Sequence, residues 1–218
     1  MKALTHPLLD SCGVLHGFGV RGARPPAGLL RPRQVHGVAV VTGTECEAVP
    51  PPEADAVVSN RSGRPIGIVT ADCVPILLAS RDGAAVAAVH AGWRGLAAGI
   101  VAAGVARIAE LAGSASLRAV VGPYIGKCCY EVDAPVLDAL AARFGDDASR
   151  HAVATRSGHA RIDLGRLACV ELVASGLAAD AIAAIPDACT RCDSARFHSY
   201  RRDGGAAGRL IHHIAARG

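Results

Sequence analysis

Three residues that lie far apart in the sequence, His36, Cys73 and His90, combine one thiol with two imidazoles. His90 ends the apolar run AAVAAV and precedes a glycine turn, where a charged imidazole without a partner would be unfavourable. This set of side chains suits Zn²⁺, and three protein ligands leave one coordination position for water or substrate. The same side chains could instead form a nucleophile and its base, with Cys73 attacking and His90 accepting the proton. The residue types alone leave both interpretations open.

The other cysteines do not indicate a disulfide framework. Such frameworks are expected in small secreted chains, whereas this chain has 218 residues and eight cysteines. Most of the cysteines, including Cys129, are expected to be thiols that pack as small hydrophobic side chains. Cys189-x-x-Cys192 has the spacing of half a zinc ribbon. Because no second CxxC and no HxxxH accompanies it, the sequence does not predict a structural zinc there.

The elements that must position these residues follow from apolar runs separated by turn residues. Buried strands are predicted at 67–69, 76–79, 84–90, 117–121, 181–185 and 210–214, and helices at 98–112, 134–144 and 163–175. A glycine follows each of the three helices, as expected of helix ends. This alternation predicts an α+β fold of α/β-like character, a single domain over residues 1–218 in which mixed β-sheets are flanked by helices.

The composition excludes several classes of protein. Hydrophobic residues make up 51% of the chain, which excludes a disordered protein, and no stretch approaches the ~20 uncharged apolar residues of a membrane span. The net charge of +4 is too small and too scattered for a nucleic-acid-binding surface. The first residues are too polar for a signal peptide. We therefore expect a cytoplasmic protein without nucleic-acid or membrane partners, whose oligomeric state the sequence does not determine.

Five motifs carry a family resemblance: in order, they are QVHG, TADCVP, HAGWRG, GPYIGKCCYEV and SYRRDGGAAGR. Together they resemble the family long called laccase-domain or multicopper polyphenol oxidoreductase proteins, whose members are described as zinc-dependent purine nucleoside phosphorylases. The resemblance extends from about Gly17 to Ile214, and the pair TADC and HAGWRG is its most specific part. It implies a transferase that cleaves adenosine- or inosine-type nucleosides with phosphate, with methylthioadenosine phosphorylase and hydrolytic adenosine deaminase activities in addition.

The resemblance also assigns metal ligands. The histidine of QVHG, the cysteine of TADC and the histidine of HAGWRG carry over as His36, Cys73 and His90, which are expected to bind Zn²⁺. Copper is less favoured, because a multicopper oxidase needs about ten histidines, largely in His-x-His pairs, and a blue-copper methionine. This chain has nine histidines, no His-x-His pair and one methionine, at position 1. A laccase-like polyphenol oxidase and a cysteine hydrolase with Cys73 as nucleophile are the alternatives.

Charged residues near these motifs are candidates for the chemistry of phosphorolysis. Arg94 follows the tryptophan of HAGWRG, and Arg201 and Arg202 are adjacent guanidiniums, which suit the geometry of phosphate. Asp72 and Glu131 are candidates for proton transfer. Their structural alternatives are a turn cap for Asp72 and an ion pair with an arginine for Glu131.

One segment departs from the family pattern. Only the twelve residues 22–33 separate the early motif FGVR from QVHG, whereas most relatives carry a much longer segment there. If that segment helps to wall the pocket, the range of substrates differs from that of the family.

Overall fold

Short strands and helices alternate along residues 2–114 and 116–218, the part of the chain that this computed structural model describes. The strands are β1 (Leu15–Gly17), β2 (Val40–Thr42), β3 (Ala56–Ser59), β4 (Ile66–Thr70), β5 (Val74–Ser80), β6 (Val86–Ala91), β7 (Leu117–Val121), β8 (Glu131–Asp133), β9 (Ala152–Arg156), β10 (His159–Ile162), β11 (Ile182–Ala184) and β12 (Leu210–Ala215). The α-helices are α1 (Pro7–Asp10), α2 (Trp93–Ala98), α3 (Ile100–Ala112), α4 (Ala134–Phe144), α5 (Asp146–Arg150), α6 (Leu164–Ala174) and α7 (Tyr200–Asp203). Turns of 3₁₀ helix lie at Glu45–Glu47, Ala179–Ala181 and Gly204–Ala206.

A mixed sheet of six strands, in the order β11-β7-β5-β6-β3-β2, forms the centre of the molecule. The inner pairs are antiparallel, and the outer pairs β11–β7 and β2–β3 are parallel. Every residue of β3, β5 and β6 is buried, which explains why their sequences are predominantly apolar. Successive side chains still face opposite sides, so that Ile76 and Leu78 belong to one core whereas Leu77 belongs to the other.

Different layers cover the two faces of this sheet. Helices α2, α3, α4 and α6 pack on one face, where Leu96 and Ile108 are completely buried. The antiparallel sheet β1-β12-β4 packs on the other face around Phe18, Ile68 and Ile214. A third, small sheet in the order β8-β10-β9 lies beside α4 and α5. Functional side chains can therefore emerge only where strands end and loops begin.

The predicted α+β fold with mixed sheets flanked by helices is confirmed. The six predicted strands correspond to β4, β5, β6, β7, β11 and β12, and the helix predicted at 134–144 is α4. The helix predicted at 98–112 begins earlier and is interrupted, because Gly99 has a left-handed backbone (φ 94°) that ends α2 and begins α3. The helix predicted at 163–175 begins one residue later, since Asp163 is its N-cap and accepts the Arg166 N–H.

Several short strands carry no clear sequence signal. Strands β1, β2, β8, β9 and β10 have three to five residues, and β9 is exposed at four of its five positions. Such strands lack the apolar run or the alternation on which prediction depends. None of the described helices has the length and apolar character needed to cross a membrane.

Candidate metal centre and its cavity

Two of the three candidate ligands meet where β5 and β6 run side by side. Cys73 lies in the turn that joins β4 to β5, and His90 is the fifth residue of β6. The antiparallel register pairs Pro75 with His90, which brings the start of β5 beside the imidazole. Asp72, at the tip of the turn, has a positive φ of 95°, a conformation that costs energy for a residue other than glycine.

Asp55 brings the third ligand to the same place. Its carboxylate is completely buried and accepts backbone N–H groups from Val35 (3.2 Å), His36 (2.9 Å) and Gly37 (2.6 Å). The same carboxylate lies 2.7 Å from Nδ1 of His90. A single buried acidic residue therefore shapes the loop that carries His36 and orients the ring of His90.

Gln34 fastens the same loop to the edge of β4. Its side-chain amide donates to the carbonyl of Val69 (2.8 Å) and accepts the N–H of Val69 (2.7 Å). Because β4 is an edge strand, these two bonds satisfy the N–H and carbonyl of Val69 that no neighbouring strand pairs with. His36 follows two residues later with φ 61°, so its backbone is also held in a sparsely populated conformation.

The three side chains converge on one point. A ligand atom from each of His36, Cys73 and His90 lies within 4.8 Å of the other two. The imidazole rings stand edge to face, with centroids 4.9 Å apart. Gly92 leaves room for them, because a Cβ there would lie 2.9 Å from Cδ2 of His36 and 3.2 Å from Sγ of Cys73. A side chain at this position would therefore crowd two of the three candidate ligands, His36 most strongly.

The electrostatics of the three side chains favour an ionised thiol. Burial raises the pKa of Cys73, but hydrogen bonds with His36 and His90 and their positive charges lower it more, to about 6. Burial lowers the pKa of His90, but its hydrogen bonds with Asp55 and Cys73 raise it to about 9. A thiolate held between imidazoles is the state that a metal ligand requires, and it is also the state of an activated cysteine nucleophile.

The donor set fits a zinc ion. It offers one soft thiolate and two imidazoles, and three ligands leave a position open toward substrate. Since Nδ1 of His90 is occupied by the buried Asp55 carboxylate, Nε2 is the nitrogen available to a metal. Zinc-binding histidines usually hydrogen-bond a carboxylate in this way. The contact between Asp55 and His90 is therefore further support for a metal site, beyond the identity of the three ligands.

A cavity of about 510 Å³ opens above the three ligands. This volume lies within the range of small-molecule sites. Its walls combine aromatic rings, cations and apolar side chains: Gln34, His36, Val69, Thr70, Ala71, Asp72, Cys73, His90, Trp93, Arg94, Ile125, Tyr130, Leu164, Tyr200, Arg201 and Arg209 line it.

Two of the three predicted arginines lie in the cavity wall. Arg94 is exposed, and its guanidinium lies over the ring of Trp93, 4.3 Å from the ring centre. Arg201 lies 5.0 Å from the ring centre of Tyr130, and its Nη1 donates to the carbonyl of Glu131 (2.8 Å). Both guanidiniums keep N–H groups directed to solvent, so each can still contact an anion.

Arg202 is not among the residues that line the cavity. Its guanidinium makes two 2.8 Å bonds with the Asp203 carboxylate and donates to the carbonyls of Thr190 (3.0 Å), Arg191 (3.1 Å) and Phe197 (2.9 Å). These contacts use its donors within the protein. Arg209, which the sequence analysis did not select, occupies the cavity wall instead.

The two candidate carboxylates have different surroundings. Asp72 lines the cavity, but its oxygens already accept the hydroxyl of Thr190 (2.5 Å) and the backbone N–H of Arg201 (2.6 Å). Glu131 is outside the cavity lining and accepts bonds from Thr155 (2.7 Å) and from an arginine, Arg156, at 3.2 Å. The structural alternative for Glu131, an ion pair with an arginine, is therefore what the structure contains, and its catalytic role stays a prediction.

Comparisons with known proteins agree with this arrangement of motifs. A family model described as "Multi-copper polyphenol oxidoreductase laccase" matches residues 20–217. The chain belongs to this family. A Xylella fastidiosa protein named purine nucleoside phosphorylase is 41% identical over 175 residues, which cover 78% of this chain and 66% of that protein. A Geobacillus stearothermophilus protein named purine nucleoside phosphorylase YlmD is 31% identical over 194 residues, which cover 84% of this chain and 70% of that protein.

Solved structures of the family share the fold. The crystal structure of the Bacillus licheniformis hypothetical protein YfiH superimposes with a TM-score of 0.85 at 25% identity, covering 94% of this chain and 93% of that one. A Neisseria meningitidis protein superimposes with a TM-score of 0.78 at 33% identity, covering 87% and 75% of the two chains. The family resemblance inferred from the motifs is thus confirmed. The chain spans slightly less than two thirds of the length of the Xylella relative.

Two residues at the cavity, Asp55 and Arg209, were not predicted from the sequence. Asp55 is a single acidic residue directly before the buried strand β3, a place where an unpaired carboxylate would be costly. That position is a signal that could have identified it. Arg209 lies eight residues beyond Arg201, past the end of α7 and the 3₁₀ turn Gly204–Ala206, and the chain leads from there into β12 beside the cavity.

Proposed function

We propose that the protein is a zinc-dependent purine nucleoside phosphorylase that acts on adenosine- or inosine-type nucleosides. The observation that carries this proposal is the cavity itself, which has two histidines and a cysteine at its floor and three arginines in its wall. Relatives named purine nucleoside phosphorylase at 31–41% identity support the reaction class. The substrates, a nucleoside and inorganic phosphate, require both an aromatic surface and an anion site, and this cavity offers both.

His36, Cys73 and His90 would hold the zinc ion. When bound there, zinc supplies Lewis acidity toward an oxygen or nitrogen of the substrate. Asp55 keeps Nε2 of His90 directed to the ion and stabilises the ring in one tautomer. The protein's own contribution is to fix these ligands at the cavity floor and to keep one side of the site open.

Aromatic side chains offer a place for the purine. Trp93 and Tyr130 are partly buried with their rings in the wall, whereas Tyr200 is 58% exposed at the rim. A purine between such faces would bury apolar surface and stack on a ring. Trp93 also packs against the helix-side core, so anchoring its loop and contacting a base are compatible roles.

The arginines Arg94, Arg201 and Arg209 would bind phosphate. They approach from three different segments, and fixed guanidiniums attract and orient an oxyanion. In the reaction, a phosphate oxygen forms a bond to C1′ of the ribose while the bond from C1′ to the purine nitrogen breaks. The electron pair of that bond leaves with the purine, which takes up a proton to become the free base, and the other product is ribose 1-phosphate.

Asp72 would organise this site. Among the cavity-lining residues of the described chain it is the only carboxylate, and it accepts both the Thr190 hydroxyl and the backbone N–H of Arg201 in α7. This contact fixes the segment on which Arg201 lies. A proton-transfer role for Asp72, as the sequence suggested, requires that one of its oxygens exchange partners when substrate binds.

A nucleoside panel tests the proposal. The zinc-loaded protein is incubated with inosine, adenosine, guanosine or methylthioadenosine, with and without phosphate, and the products are separated by chromatography. We expect the free base only with phosphate, accompanied by ribose 1-phosphate or, from methylthioadenosine, by 5-methylthioribose 1-phosphate. Release of inosine from adenosine would establish the deaminase activity. Absence of base release from every nucleoside, together with oxidation of a phenol by the copper-loaded protein, would favour the polyphenol oxidase alternative.

A cysteine hydrolase is the second candidate, favoured by the lowered pKa of Cys73 beside His90. It would form a covalent intermediate on the sulfur rather than a metal complex. Its activity would survive removal of metal by a chelator and would be abolished by alkylation of Cys73. The phosphorylase would lose activity in the chelator and recover it when zinc is restored.

A further inference from the structure

Four cysteines form a second cluster outside the cavity floor. Cys128 and Cys129 lie in the turn between β7 and β8, and Cys189 and Cys192 lie in the loop after β11. Although sixty residues separate the two pairs in sequence, the four sulfur atoms all lie within 4.8 Å of one another. We call these four residues the cysteine cluster.

The sulfur–sulfur distances match a single tetrahedral ion. Cys128 lies 3.6 Å from both Cys189 and Cys192, and Cys129 lies 3.3 Å from Cys192. Four thiolates at the Zn–S distance of about 2.3 Å form a tetrahedron with edges of about 3.8 Å. A disulfide would hold two sulfurs about 2.0 Å apart, and an iron–sulfur cluster would place several atoms between them. The observed spacing lies close to the zinc tetrahedron.

Donor groups and cations surround the sulfurs. The backbone N–H of Gly126 points to Sγ of Cys189 at 3.3 Å, and the guanidinium of Arg191 lies 3.6 Å from Sγ of Cys129. Lys127 precedes the first pair in the sequence. A dication with four thiolates carries a net charge of −2, so these groups would offset the charge of such a centre. Apolar packing of thiols would need none of them.

We propose that the cysteine cluster is a second metal site, which holds one Zn²⁺ ion through four thiolates and has a structural role. All four positions of a tetrahedral ion are filled by protein, so no position is left for substrate. CxxC at 189–192 supplies one half of the ligand set. The adjacent cysteines 128 and 129 supply the other half, a spacing that differs from the usual zinc-ribbon pattern.

The site would join two walls of the cavity. Ile125 and Tyr130, which line the cavity, flank the first cysteine pair, and Tyr200 and Arg201 follow the second. Thr190, next to Cys189, donates its hydroxyl to Asp72 at the cavity. Apart from the cluster, the two segments are connected by the backbone pairing of Tyr124 with Cys189 and by the contacts of Arg201 with the Tyr130 ring and the Glu131 carbonyl. A zinc ion here would fix the segment that carries the arginines relative to the segment that carries Tyr130.

Metal content in a background without the cavity site tests the proposal. The Cys73→Ser protein, purified under reducing conditions and dialysed against a mild chelator, should retain one zinc ion per chain. Cys73→Ser combined with Cys192→Ser should retain none. Cys73→Ser combined with Cys169→Ser is the matched control, because Cys169 lies outside both groups, and it should retain one. The outcome does not depend on whether the cavity itself binds zinc.

Cobalt substitution of the Cys73→Ser protein gives a second measurement that does not require the cluster variants to fold. Bound Co²⁺ should show the intense thiolate-to-cobalt charge-transfer bands and visible bands of a tetrahedral tetrathiolate. Absence of retained zinc in Cys73→Ser, or zinc retained equally after Cys192→Ser, would overturn the proposal. So would disulfide bonds between these cysteines in the intact mass of the freshly purified protein, or retained iron in place of zinc.

Discussion

The cavity centre and the cysteine cluster both contain cysteine side chains, but they differ in the other ligands and in the groups that surround them. At the cavity, one cysteine is combined with two histidines, and a buried carboxylate stands behind one of them. In the cluster, four cysteines lie close together, and the groups that contact their sulfurs are a backbone N–H and an arginine side chain. The cavity ligands come from the inner strand β6 and from two loops, whereas the cluster ligands come from two loops alone.

This difference separates reactivity from stability. Mixed ligands with one side open suit Lewis-acid chemistry, and a closed set of thiolates suits a cross-link between loops. The supporting groups follow the same division, because a histidine must be oriented by a partner whereas a thiolate needs its charge offset. Substitutions at the two places should therefore produce different defects, and the following experiments measure that difference.

The largest effect is expected for Cys73→Ala. Loss of the thiolate removes the metal from the cavity, and with it several kcal/mol of transition-state stabilisation, which corresponds to roughly a 10³-fold or greater loss of kcat/KM. Cys192→Ser should instead lower the melting temperature and keep a measurable kcat. Phosphorolysis rates and thermal unfolding of both variants decide the matter. Equal losses of activity in the two variants would remove the distinction between the sites.

Asp55→Asn tests the support behind His90. The amide has a single acceptor oxygen, so it cannot serve three backbone N–H groups and the imidazole as the carboxylate does. We expect zinc affinity and kcat to fall by roughly 10–100-fold. Competition with a chromophoric chelator measures the affinity. Asp180→Asn, on an exposed 3₁₀ turn, is the control, and it should match the wild-type protein.

Arg209 and Arg202 lie in the same segment, but we expect the first to bind phosphate and the second to stabilise the fold. Arg209→Ala should raise the phosphate KM by about tenfold, because a charge-assisted contact contributes roughly 1.5–3 kcal/mol, while kcat changes less. Arg202→Ala removes the bonds to Asp203 and to three carbonyls, and should lower the free energy of unfolding by roughly 1–3 kcal/mol. Initial rates at varied phosphate and urea unfolding distinguish them. A raised phosphate KM for Arg202→Ala alone would restore the assignment made from the sequence.

The smallest expected effect is the pH dependence of the free energy of unfolding that comes from His212. His212 is completely buried, with Nδ1 accepting the Gly19 N–H (3.3 Å) and Nε2 lying 2.8 Å from the Thr70 hydroxyl. Burial lowers the pKa of His212 to about 3. As the pH falls below ~6.5, the unfolded chain binds a proton that the folded protein excludes, so stability is lost.

His212→Gln should remove this loss, since the amide offers a donor and an acceptor without titrating. Between pH 7 and pH 5.5 the wild-type protein should lose roughly 1 kcal/mol more than the variant. Urea unfolding of both proteins at the two pH values measures the difference, and the titration of all other groups is common to both. Parallel pH dependences would show that His212 binds a proton in the folded state.

Long apolar elements were predictable because burial imposes a pattern on them. Strands β5, β6 and β7 are predominantly apolar, and α4 carries proline in its first turn and glycine after its last. Strands β1 and β2 and the β8-β10-β9 sheet were not predictable, since they depend on partners distant in sequence rather than on their own residues. Gly99 interrupts the helix predicted at 98–112 with a left-handed backbone (φ 94°), a conformation that glycine permits but does not require.

The site was predictable only in part, for a related reason. Motifs identify His36, Cys73 and His90, but Asp55 has no motif of its own, and its role exists only once β3 lies beside β6. Arg202 is turned toward Asp203 and backbone carbonyls, whereas Arg209 lines the cavity. The residue type, arginine in both cases, does not distinguish these two surroundings. The cysteine cluster is the clearest example of a site that the sequence does not predict. The adjacent cysteines and the CxxC form one group only because two loops lie side by side in the fold.

The missing side chain of Gly92 has a consequence for how this fold can diverge. The three atoms nearest to a Cβ there all belong to His36 and Cys73, so alanine would crowd two candidate ligands and no atom of the sheet core nearby. A single codon change could therefore disturb the ligand geometry while the rest of the fold is not directly crowded. Among homologous chains, we expect a residue other than glycine at this position to accompany an altered arrangement of these ligands.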